Sequence, residues 1–96
     1  MSLDQLQAVV TIAEEGTLVR AARRLHISQP PLTRKVRALE DELGVALFDR
    51  GPGGMRPTAA GERLLQRARG ILAEVERAAV EARAEAQRTG PRAGSA

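Results

Sequence analysis

Ser28, Gln29, Thr33, Arg34 and Arg37 lie close together in the chain and carry side chains that can hydrogen-bond to base edges. Arginine offers a two-pronged donor to guanine, glutamine a donor–acceptor pair to adenine, and threonine a hydroxyl with a methyl. Their spacing decides whether they can act together. Leu32, Val36, Leu39 and Leu43 recur at i, i+4, i+7 and i+11, the stripe of an amphipathic helix running from Ser28 to Leu43. At 100° per residue, Pro30, Arg34, Arg37 and Asp41 point away from that stripe, with Thr33 and Lys35 on its flanks. The first turns of such a helix suit the reading of a DNA major groove. An ordinary amphipathic helix with a solvated basic face has the same pattern.

With Ser28 as N-cap, Pro30 and Pro31 occupy the second and third helical positions. Proline is tolerated there because those N–H groups have no intrahelical acceptor. It also removes both donors that a capping hydroxyl normally accepts from. The Ser28 hydroxyl is thereby left for an external acceptor such as a phosphate.

Ninety-six residues make one small domain with a modest core. The absence of cysteine excludes a disulfide framework and a thiolate metal site. No apolar run approaches a membrane span and no signal peptide is recognisable, so a cytoplasmic location is expected. The net charge of +3 is small, but its distribution is uneven. Arg20, Arg23, Arg24, Arg34, Lys35 and Arg37 follow one another with no acidic residue between them, which favours a nucleic-acid face over a merely solvated surface.

The elements that must hold these residues follow from local signals. Ser2 and Gln5 have capping-box spacing, and Leu3, Leu6, Val10 and Ala13, widened by Val9 and Ile12, make a first helix that stops at Gly16. Thr17 caps a second helix with Leu18, Ala21, Ala22 and Leu25 inside. Two short helices joined through His26, the second basic and outward-facing, form a helix-turn-helix, with His26 as a turn or packing residue. Gly44 ends the third helix. An extended run from Val45 to Arg50, the turn Gly51–Gly54 and Met55-Arg56-Pro57 then make a two-stranded wing. Arg50 and Arg56 flank its tip, where they suit a minor groove or phosphates. The glycines lack the Gly-Lys-Ser/Thr of a nucleotide-binding loop.

Thr58 caps the last helix, in which Gly61, Leu64, Ala68, Ile71, Val75, Ala78 and Ala82 alternate steps of three and four. Leu65, Leu72, Ala79 and Ala86 run beside them. From Thr58 to Arg88 this helix would be about 45 Å long, more than the core can cover, so its outer part should pair with a second copy. The expected dimer contacts are Leu64, Ala68, Ile71, Leu72, Val75, Ala78 and Ala79. The expected organisation is 1–57 for DNA binding, 58–88 for dimerisation and 89–96 as a flexible tail.

The pattern from Leu3 through Ala13-Glu14-Glu15-Gly16-Thr17-Leu18, Ala21-Ala22, Leu25-His26-Ile27-Ser28-Gln29-Pro30-Pro31-Leu32-Thr33-Arg34, Leu39-Glu40, Leu43-Gly44, Leu47-Phe48-Asp49-Arg50 and Pro57-Thr58-Ala59-Ala60-Gly61 closely resembles the N-terminal domain of LysR-type transcriptional regulators. The resemblance extends to about residue 88. It implies a mainly α fold: a winged helix-turn-helix followed by a long linker helix, binding promoter DNA as a homodimer. By position it implies base or backbone contacts from Gln29, Pro30, Thr33 and Arg34, phosphate contacts near Thr17 and Ser28, and a wing contact from Arg50; Pro31, Arg37 and Arg56 complete the expected DNA surface. Val9 and Leu18 stand where the family often has phenylalanine, and Thr33 where serine is commoner. Family members carry an effector-binding domain after the linker helix, so the sequence is expected to be an isolated DNA-binding domain. A small-molecule effector and tetramer formation would belong to the missing part. No cofactor, metal ligand set or catalytic constellation is expected. Another winged-helix repressor family and a helical adaptor using the long seam are the competing readings; the long helix from Thr58 argues against the former.

Overall fold

The computed structural model describes residues 1–89, and the expected tail, apart from Thr89, lies outside them. Helix α1 spans Leu3–Glu15, α2 Leu18–Leu25, α3 Gln29–Leu43, strand β1 Phe48–Gly51, β2 Gly54–Pro57 and α4 Ala59–Arg88. The fold is mainly helical, a winged helix-turn-helix with one long helix leaving it. Among the described residues no helix is long and apolar enough to cross a membrane.

Local chemistry sets the helix ends. The Gln5 N–H donates to the Ser2 hydroxyl at 3.1 Å, and the Ser2 N–H donates to the Gln5 side-chain oxygen at 2.9 Å. The Thr17 and Thr58 hydroxyls accept from the N–H groups of Arg20 and Gly61. His26 closes α2 in the left-handed region, φ 57°, a conformation that favours glycine and that His26 adopts to turn the chain into α3. Ser28 makes no side-chain cap bond, as expected where the donors are prolines.

The centre of the core is α1. Leu6, Ala8, Val9, Val10, Thr11 and Ile12 are all buried, too many for a single face. The helix is enclosed because α2, α3, α4 and β2 all pack on it. The buried Thr11 hydroxyl donates to the Gln7 carbonyl at 2.8 Å and so needs no outside partner. From α3 come Leu32, Val36 and Leu39, joined by Leu47, Phe48, Met55, Leu65 and Ala68. Leu3 and Leu43 do not complete their stripes as expected: they are 48% and 39% exposed. Both sit at helix ends, beyond the stretch that a helix crossing covers.

The wing begins later than the sequence suggests. Val45 is not extended strand because its N–H donates to the Glu40 carbonyl and helps close α3. The ribbon pairs Phe48 with Pro57, Asp49 with Arg56, Arg50 with Met55 and Gly51 with Gly54. It leans on the α1–α2 turn, where the Met55 N–H donates to the Gly16 carbonyl at 2.9 Å. Gly54, at φ 112°, is required there: a Cβ would stand 2.5 Å from that same carbonyl oxygen.

Helix α4 starts on the core. Gly61 is pressed so closely on the Leu47 carbonyl that a Cβ would overlap it. Gly61, Leu65 and Ala68 are buried and Leu72 is partly so. Ala68 therefore corrects an expectation: fully enclosed within its own protomer, it is not free to contact a second copy. Past Leu72 the helix leaves the core, and the radius of gyration is 16.9 Å where a compact chain of this length has about 12–13 Å.

Candidate nucleic-acid interface

Helix α3 is held by its apolar stripe, and what remains outside is its first turns. Ser28, Gln29, Pro30, Arg34 and Arg37 are exposed, while Pro31 and Thr33 are half-buried on the flanks. The Ser28 hydroxyl has no hydrogen-bond partner among the described residues and is free to donate to an incoming acceptor. Thr17 uses its oxygen to cap α2 at 3.1 Å, and its proton stays available.

The run of six cations divides into two groups. Arg24 bonds Glu14 at 2.7 Å and Glu15 at 3.2 Å, which raises its already high pKa and ties α2 to the end of α1. Lys35 reaches Asp4 on α1 at 2.9 Å. These two are taken up in ion pairs that link α2 and α3 to α1 at the surface. Among the described residues Arg20, Arg23, Arg34 and Arg37 form no ion pair, and all four are exposed. The surface so made can neutralise phosphates and fork to guanine.

The wing is joined to α3 by a residue whose sequence signal gave no hint of the role, Glu40. Its side chain is only 11% exposed. One carboxylate oxygen accepts from the Leu47 N–H at 2.7 Å and the Phe48 N–H at 3.4 Å; the other accepts from Arg50 at 3.0 Å. Burial pushes its pKa up, but the Leu47 N–H, Arg50 and the Phe48 N–H together outweigh this and hold it below the usual carboxylate value of 4.5. Arg50 thus has a second duty beside the expected wing contact, bracing the ribbon against α3. It also lines an open groove with Thr17, Leu18, Val19, Pro52 and Met55, which brings the start of α2 and the wing together. Arg56 is exposed on β2, opposite Asp49.

A carboxylate with a lowered folded pKa stabilises the fold above its unfolded value and loses that contribution as pH falls through the folded one. Glu40→Gln should therefore be less stable than wild type at about pH 7, by about 1–3 kcal/mol. The gap should narrow on acidification, as the pH falls through the lowered folded value and the wild-type carboxylate takes up its proton. Urea melts over a series of falling pH values read this directly; a gap independent of pH would mean the charge contributes nothing.

The expected dimer residues fall into separate groups. Ile71 and Val75 are 42% and 45% exposed and line a shallow groove with Arg67, Gly70 and Ala78. Leu64, Leu72 and Ala79 are half-buried. Ala68, as described above, belongs to the core.

Comparison with known proteins agrees with this architecture. Residues 3–62 match the family model described as bacterial regulatory helix-turn-helix protein, lysR family. The chain is 50% identical over 84 residues to the HTH-type transcriptional regulator ClcR of Pseudomonas putida, a match covering 88% of this chain and 29% of that protein. The chain thus spans less than a third of this curated relative's length. A crystal structure of a CbnR DBD–DNA complex superposes with a TM-score of 0.83 at 45% identity, covering 90% of this chain and 99% of that one. A BenM DBD complex with benA site 1 DNA gives 0.85 at 35% identity, covering 90% and 97%. The chain belongs to the lysR family of bacterial regulatory helix-turn-helix proteins.

Proposed function

We propose that residues 1–57 are the sequence-reading part of a LysR-type transcriptional regulator acting in the cytoplasm, and that 58–88 join two copies. The homodimer binds promoter DNA with α3 in the major groove and the wing near the minor groove. The observation that carries this is the outward face of α3: Gln29, Arg34 and Arg37 exposed beside an uncommitted Ser28 hydroxyl, with no acidic side chain paired to either arginine among the described residues. The full-length regulator adds an effector-binding domain for a small molecule and can assemble to tetramers.

Two-fold symmetry gives the dimer a definite form. An axis passing beside Ala73, with the two α4 helices antiparallel, sets Leu64 opposite Ala82 and Ile71 opposite Val75. Two recognition helices then meet successive major grooves when they stand about 34 Å apart.

The test is a titration of the protein against its operator, located by footprinting the DNA flanking the gene, at two salt concentrations. A steep loss of affinity with salt is expected from phosphate neutralisation; a flat response would favour a protein-binding adaptor. Arg34→Ala should cost about 1–3 kcal/mol on the cognate site and relax its sequence preference. Equal weakening on cognate and random DNA would make Arg34 a phosphate contact instead.

A further inference from the structure

Beside the apolar face of α4 runs a flank whose charge changes sign along the helix. At 100° per residue Arg63, Arg67, Glu74, Glu81 and Glu85 share that flank, arginine in the first half and mainly glutamate in the second, where Arg77 and Arg88 lie at its outer edge. All are exposed, and Arg67 and Glu74 border the same shallow groove as Ile71, Val75 and Ala78. Among the described residues Arg63, Arg67 and Glu81 have no ion-pair partner within the protomer. Glu85 bonds Arg88 at 3.0 Å on an open surface.

In an antiparallel pair of helices the same flank of each faces its copy. The register that sets Ile71 opposite Val75 then brings Arg67 to Glu81 and Arg63 to Glu85, each twice by symmetry. Glu74 meets its copy at the axis, its charge offset by the Arg77 of its own helix. In a parallel pair this flank would face the opposite flank of the partner helix, and these opposite charges would not meet. The apolar seam is thin, since beyond Val75 it is alanine, so the flank has an unusually large share in deciding which helix is accepted.

We propose that Arg63, Arg67, Glu81 and Glu85 are a partner-selection code, matching this helix to a second copy of the chain and rejecting helices of similar shape but different charge order. This rests on the homodimer proposed above and deepens it by naming what selects the partner.

The experiment uses the 96-residue chain without DNA, as two charge-reversed variants, R63E/R67E and E81K/E85K, studied separately, mixed, and combined in one chain. Each variant alone faces four repulsions where wild type has four attractions. Its dimer dissociation constant in sedimentation equilibrium should rise about 30-fold or more at low salt, and less at high salt. The equimolar mixture should form heterodimers within a few-fold of wild-type affinity, because all four cross-pairs are then opposite in sign. The combined R63E/R67E/E81K/E85K chain should regain self-association. The altered positions are exposed, so each variant should keep a folded circular-dichroism spectrum and a cooperative melt, lowered only by the lost association, which separates pairing from folding. Single-side variants that dimerise like wild type, or a combined chain that stays monomeric while folded, would overturn the code and leave the homodimer standing. A wild-type chain that stays monomeric would overturn both.

Discussion

Replacing Leu39 by alanine should destabilise the domain by about 2–5 kcal/mol and lower its melting temperature by about 10 °C or more. Leu39 is fully buried, mid-way along the face that α3 presents to the core. Truncation removes its burial and leaves a cavity, and the cavity cannot collapse easily where Val36 and Leu32 sit on the same rigid helix. A domain of this size has about 5–15 kcal/mol of stability in total, so the loss is a large fraction of it. Urea unfolding at neutral pH measures it. An unchanged midpoint would mean that α3 is rotated about its axis, and its outward residues with it.

The second large effect is expected at Ile71. In the protomer it is 42% exposed, so Ile71→Glu should leave the helix-turn-helix folded with a near wild-type melting curve. In the proposed dimer the same change would set two carboxylates into the apolar seam, each against Val75 of the other copy, and burying unpaired charge there is costly. The variant should sediment as a monomer. Binding to a full operator should weaken about 100-fold or more, because the second half-site no longer adds an intramolecular contact, while binding to a half-site should change little. A variant that remains dimeric and still prefers the full site would refute the seam.

These two positions also show what the sequence could and could not reveal. The face of α3 was legible because only one stripe on it is apolar: Leu32, Val36 and Leu39 have no rival, and the exposed face follows from them. The caps were legible for the same local reason, since Ser2, Thr17 and Thr58 bond to amides three residues away. Helix α4 was harder. It has two neighbouring apolar rows, and periodicity cannot say which one the domain takes; Ala68 belongs to the first row and yet goes to the core. Nor does spacing disclose that Arg24 and Lys35 are consumed by ion pairs with α1. Glu40 was hidden most completely, because it reads as an ordinary polar residue on a charged helix. Its partners, Leu47 and Arg50, come within reach only after the chain has turned at Gly44.

That carboxylate has a consequence for the DNA. Glu40 grips the base of the ribbon and its arginine at once, so α3 and the wing move as one body. Such a body has little freedom to follow a groove that is wider or narrower than its own span. Any misfit is then absorbed by the duplex, whose stiffness varies from one base step to the next. On that reasoning, base pairs that no side chain touches enter the discrimination, and a change in the spacer between half-sites should alter affinity although every direct contact is kept.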